Sequence, residues 1–167
     1  MNHKFYICPG SPAISTQHIE LDESRLEDAI EDVFSEDAED ATLVWEAAKQ
    51  PLSYKYDFPE ITRDIIIMLG VLKTARGETK VHFRSSDFHT DWILRWNEDH
   101  LEVEEKSRMS LKSGYGYQGD LRKTVLSKSY FCSEWKKPLT NILKALKHSK
   151  LTHVSGFTLL ERACSEV

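Results

Sequence analysis

The sequence predicts an α+β fold, a single domain over residues 1–167, with an antiparallel sheet meander packed against a central hydrophobic helix and flanking amphipathic helices. Three observations predict it. Residues 59–72 are apolar around most of a helical circumference, the hydrophobic period changes to two from Lys80 onward, and stripes of helical spacing lie on either side of both. With 167 residues and 40% hydrophobic content, the chain suits one domain with a sizeable core.

Taken in order, residues 3–8 (HKFYIC) read as a strand that stops at the Pro9-Gly10 turn signal, and 16–21 as a short second strand. Leu26, Ile30, Val33 and Phe34, with Ala29, share one helical face, with Asp22 or Ser24 as N-cap. The run ATLVWEAAK fits helix or strand and ends at Pro51. LSYKYDF, 52–58, alternates as a strand. Pro59 then opens a helix with Ile61, Ile65, Met68, Leu69 and Leu72 on one face, and Ile66, Ile67 and Val71 make it apolar nearly all round, the mark of a buried central helix. Arg76-Gly77 reads as its C-terminal cap, and Gly70 as a point of close packing. KVHFRSSDF, DWILRWN and HLEVEEKSRM read as three strands, the last two joined through Asn97–Asp99. After the loop SGYGYQGD, LRKTVLSKSYF reads as a further strand. Ser133 caps a helix from Glu134, buried along Trp135, Leu139, Ile142, Leu143 and Leu146, with Pro138 near its first turn, and GFTLLERAC as a last short helix.

Charge is distributed unevenly. Residues 20–40 hold eleven acidic side chains against Arg25, a net of −10, while the whole chain carries −5, so the remainder sums to +5. On the helix within this run Glu27, Asp28, Glu31 and Asp32 lie opposite the apolar stripe, and Glu36 and Asp37 follow beyond it. The pairs 27/31 and 28/32 repel at i,i+4, and acids beyond the last turn oppose the helix dipole. Such an anionic face speeds association with cationic surfaces and selects them; its ordinary alternative is a solvated face that maintains solubility.

Three cysteines, Cys8, Cys132 and Cys164, lie far apart and outside any CxxC spacing, which argues against a disulfide framework or structural zinc. The N-terminal apolar run is too short for a signal peptide and no stretch approaches a membrane span, so a cytoplasmic protein without membrane contact is expected. No catalytic signature is present: no enzyme activity, cofactor or metal is expected. Gly114, Gly116 and Gly119 spell G-x-G-x-x-G without the flanking strand and helix that dinucleotide binding needs. Asp87, His89 and Asp91 have ligand chemistry but fit a polar turn better, and Cys132 fits a partly buried thiol better than a nucleophile. Residues 106–150 carry eleven Lys or Arg against Asp120 and Glu134, interleaved with Tyr115, Tyr117, Tyr130, Phe131 and Trp135, the footprint of a nucleic-acid-binding or regulatory module. The acidic balance of the whole chain makes direct nucleic-acid binding the weaker expectation, and attraction between this half and the acidic helix is the simpler reading.

In size, charge arrangement and the order of helix, strand meander and helix, the chain resembles the immunity proteins of bacterial toxin systems, such as those of contact-dependent growth inhibition and the nuclease colicins. It implies a cognate toxin domain as partner, basic and nuclease-like, gripped by Glu27, Asp28, Glu31, Asp32, Glu36 and Asp37.

Overall fold

The computed structural model describes residues 5–17, 25–109 and 121–165 of the chain, and among these described residues two antiparallel sheets and four helices share one core. Strand β1 (Phe5–Cys8) buries Phe5 and Ile7 and exposes Tyr6 and Cys8. Helix α1 (Leu26–Val33) follows, and the ATLVWEAAK segment resolves as a hairpin of β2 (Ala41–Trp45) and β3 (Ala48–Leu52), turned through Glu46, whose φ of 58° is left-handed. β2 lies between β1 and β3, with Phe5 opposite Trp45 and Ile7 opposite Leu43. After α2 (Phe58–Val71), β4 (Gly77–Arg84), β5 (His89–Trp96), β6 (His100–Met109) and β7 (Lys123–Ser127) form a four-stranded meander in chain order. α3 (Lys128–His148) and α4 (Phe157–Ser165) follow.

Aromatic rings cluster where both sheets meet α3. Trp45 and Trp92 meet edge to face with centroids 5.2 Å apart, Phe83 stacks on Trp135 at 5.8 Å, and Phe5 lies against Trp45, Trp92 and Phe131. Such aromatic pairs each add roughly 0.5–1.5 kcal/mol beyond the area they bury. A polar tie also joins the sheets: the buried Glu105 carboxylate holds Arg122 at 2.9 Å, and that guanidinium lies over the Trp45 ring.

Several expectations are corrected. Of 16–21, Thr16 and Gln17 lie outside any strand and the remainder falls outside the described residues, as do the caps Asp22 and Ser24 and the glycines of 114–119. LSYKYDF is not a strand: Leu52 ends β3, and Asp57 folds back so that its carboxylate accepts the Ser53 N–H at 2.8 Å. Tyr54 and Phe58 are both buried because the turn stacks their rings at 4.8 Å, while Tyr56 is exposed. α2 ends at a Leu72 cap, not at Arg76-Gly77. Gly77 belongs to β4, where a Cβ would lie 2.6 Å from the Trp96 ring. Gly70 marks no close approach, for a Cβ there would meet nothing within 4 Å.

The C-terminal half of the 121–131 segment is helical. Thr124 and Leu126 alternate with outward residues as far as Ser127, whose hydroxyl then accepts the Tyr130 N–H and starts α3 six residues before Ser133. Pro138 therefore sits mid-helix, where it leaves the Glu134 carbonyl without its usual donor. Burial of Phe131, Trp135, Leu139, Ile142 and Leu146 on both sides of it outweighs that loss, at about 1.5–3 kcal/mol per large apolar side chain.

Candidate partner-binding site

The acidic ridge is built on α1. Leu26, Ala29, Ile30 and Val33 are buried against the core, which turns the residues between them outward. Phe34 ends the helix by dropping into the core and pairing with Ile14, so the chain turns and presents Glu36 and Asp37 on an exposed bend. The expected conflict with the helix dipole is relieved from elsewhere: the Lys55 ammonium donates to the Glu31 and Phe34 carbonyls at 2.9 and 3.3 Å. A cation at those unsatisfied carbonyls is favourable by roughly 0.3–1 kcal/mol.

The six candidate carboxylates separate into two groups. Glu27 accepts from Arg63 of α2 at 2.8 Å, and Asp28 from Arg25 at 3.3 Å. Partial burial would raise the Glu27 carboxyl, but the Arg63 hydrogen bond holds it below its ordinary range. These two residues, with Arg25, Glu31, Glu60 and Arg63, line a cleft of about 320 Å³. Glu31, Asp32, Glu36 and Asp37 are exposed and have no ion pair among the described residues. The ridge is therefore half braced and half available.

Attraction between the basic half and the acidic helix is not what the contacts show. The cations of 106–150 meet carboxylates of the four-stranded sheet and of α3 and α4: Lys106 with Glu104 at 2.7 Å, Lys123 with Glu102 at 3.2 Å, Arg122 and Arg108 with Glu105, Lys137 with Glu134 and Lys147 with Glu161. Arg95 joins the same outer sheet face to Glu78, Glu102 and Glu104. Six of the eleven cations are thus compensated locally, and Lys128 donates to the Thr74 carbonyl at 3.0 Å.

The Asp87, His89, Asp91 trio does not converge. Asp91 is occupied by His82, Arg84 and Ser107, the last at 2.7 Å, and the Asp87 carbonyl accepts from Gln50. Burial works to raise the Asp91 carboxyl, but the hydrogen bonds from His82, Ser107 and Arg84 prevail and hold it at about 2. Among the described residues no group of three His, Cys, Asp or Glu side chains is placed to hold a metal. Burial pushes the Cys132 thiol up despite three nearby lysines, which leaves it a poor nucleophile.

Sequence reasoning missed a large groove of about 1450 Å³ between α2, β7, α3 and α4. Ile66, Ile67 and Gly70 form one wall and Val125, Cys132 and Leu159 contribute to the others. Here the expectation that α2 is buried all round fails, because Ile67 is 58% exposed. An apolar circumference was the only available signal, and it reads identically for a buried helix and for one that faces a groove.

No family model, curated protein or solved structure matches the chain. No helix among the described residues is long and apolar enough to cross a membrane.

Proposed function

We propose that the chain is an immunity-type inhibitor that binds a cationic toxin domain, nuclease-like in its surface, through the acidic ridge. The observation that carries this reading is the selective compensation of charge. The protein's own lysines and arginines satisfy carboxylates across the sheet and brace Glu27 and Asp28, yet Glu31, Asp32, Glu36 and Asp37 stand exposed without an ionic partner among the described residues. Lys55 supports the backbone beneath them without neutralising a side chain. Glu27 and Asp28, held in place by arginines, form the rigid flank of the same surface, and the four others meet the lysines and arginines that a nuclease presents to its substrate. Complementary charge of this kind raises association rates and selects the partner. Nucleic-acid binding by residues 106–150 is the weaker reading, since most of its cations are already paired.

The test is to sequence the locus upstream of this chain for a large secreted protein with a variable C-terminal domain, and to co-express that domain with this chain. Wild type is expected to protect the cell, and the variant with Glu31, Asp32, Glu36 and Asp37 all changed to Lys is expected to lose protection. Full protection by that variant overturns the ridge as the site.

A further inference from the structure

We propose that the outer edge of β7 is a docking site for an extended segment of a protein partner carrying alternating apolar and acidic residues, added to the four-stranded sheet as a fifth strand. The backbone carries the first argument. The Lys128 N–H donates to the Asp99 carbonyl at 2.9 Å and the Glu105 N–H to the Arg122 carbonyl at 2.8 Å, while Thr124 pairs with Val103 and Leu126 with Leu101. In an antiparallel ladder alternate residues bond the same neighbour, so the even-numbered residues face β6, and Lys123 and Val125 direct their N–H and C=O groups outward. β7 is the last strand of its sheet, and among the described residues no strand pairs with that side. An unpaired edge of this kind is a template for another strand.

The groove along that edge supplies the second argument. Val125 is 61% exposed, Ile67 58% and Leu159 48%, although all three are large aliphatic residues. Its volume of about 1450 Å³ exceeds the roughly 300–1,000 Å³ of small-molecule sites and suits a peptide. Charge identifies the occupant: the lining brings Lys73, Lys123, Lys128, Lys136 and Arg162 against Glu46, Glu98 and Asp99, and although Lys123 also meets Glu102 at 3.2 Å, the cations still outnumber the carboxylates around the groove. That cationic surplus favours acidic side chains between the apolar ones. A second copy of this chain, docked by the same edge, would bring its own lysines to the rim and is disfavoured. The sign is opposite to that of the α1 ridge, so this surface takes a different kind of segment and its test is independent of the toxin reading.

The experiment uses the full chain and two fluorescein-labelled heptapeptides, one alternating glutamate and valine and one alternating lysine and valine. Anisotropy is expected to show the glutamate peptide binding at least ten-fold more tightly, with amide exchange slowed at Lys123 and Val125. Val125→Pro removes an outward N–H that β6 does not use, so it is expected to weaken binding at least ten-fold with the far-UV spectrum unchanged. Val125→Glu, which retains the N–H but repels the peptide, covers the case in which the proline variant misfolds. Absence of binding, equal binding of both peptides, or undiminished binding in both variants overturns the proposal. Self-association abolished by Val125→Pro, without peptide binding, would assign the edge to a second copy and overturn the stated occupant.

Discussion

The Arg122 guanidinium lies 4.7 Å from the centre of the Trp45 ring while it bonds the buried Glu105 carboxylate of β6, so the side chain just ahead of β7 links the four-stranded sheet to the middle strand of the other. Removing one partner of a buried pair strands the other charge, at a cost of about 3–5 kcal/mol, whereas replacing both with apolar groups is often close to neutral. Glu105→Ala is expected to lower unfolding free energy by about 3 kcal/mol in urea titrations. Because Arg108 meets the same carboxylate, the triple change Glu105→Leu, Arg108→Met and Arg122→Met should recover most of it, and a triple variant no better than the single would refute the account.

Charge reversal on α1 should separate binding from stability. Glu31 and Asp32 repel Glu27 and Asp28 at i,i+4 and have no compensating contact among the described residues. Glu31→Lys and Asp32→Lys are each expected to raise stability by roughly 0.2–0.5 kcal/mol while binding of the toxin domain falls. Glu27→Ala, which breaks the Arg63 contact, should lower stability instead. The same denaturation curves compare all three.

The two glycines that flank the end of α2 should respond oppositely to alanine. Gly70→Ala places its methyl in open space within a helix, and a gain of about 1 kcal/mol is expected. Gly77→Ala drives its methyl into the Trp96 ring, and a loss of about 1–3 kcal/mol is expected together with a change in tryptophan emission. Equal melting temperatures for the two variants would contradict this.

Asp91 gives the fold an acid-sensitive contribution. Its carboxyl takes a proton near pH 2 in the folded chain, against about 3.9 in an unfolded one. Ionised Asp91 therefore stabilises the fold above about pH 4, and the contribution is lost as pH falls through about 2. Asp91→Asn is expected to cost about 1 kcal/mol at pH 7, with the difference from wild type vanishing near pH 2. A pH-independent difference would show that the lost contacts, not the charge, matter.

Much of the architecture was legible because periodicity reports which residues face the core. The stripe from Leu26 to Val33, the apolar run of α2 and the alternation from Val81 to Val103 all lie where their spacing implies. Boundaries were harder where two residues within a few turns offer the same chemistry: Ser127 and Ser133 are equally good caps in isolation, and the β6–β7 register selects Ser127. In LSYKYDF the alternation was real, but Asp57 uses it to close a turn. The acidic ridge was visible as a charge run, whereas its division into braced and exposed carboxylates depends on Arg63 and Lys55, distant in sequence. The groove was invisible, since Ile67 and Val125 differ from core residues only in what fails to cover them.

Glu134 closes the outer side of β1 by accepting the Ile7 N–H at 2.7 Å, and on the opposite flank β3 contains Pro51, which has no amide hydrogen to offer. Neither border of the three-stranded sheet is thus prepared to recruit a neighbour. A crowded suspension of this chain has no seam through that sheet along which filaments could nucleate, and the protein should tolerate high expression without fibre formation at these strands.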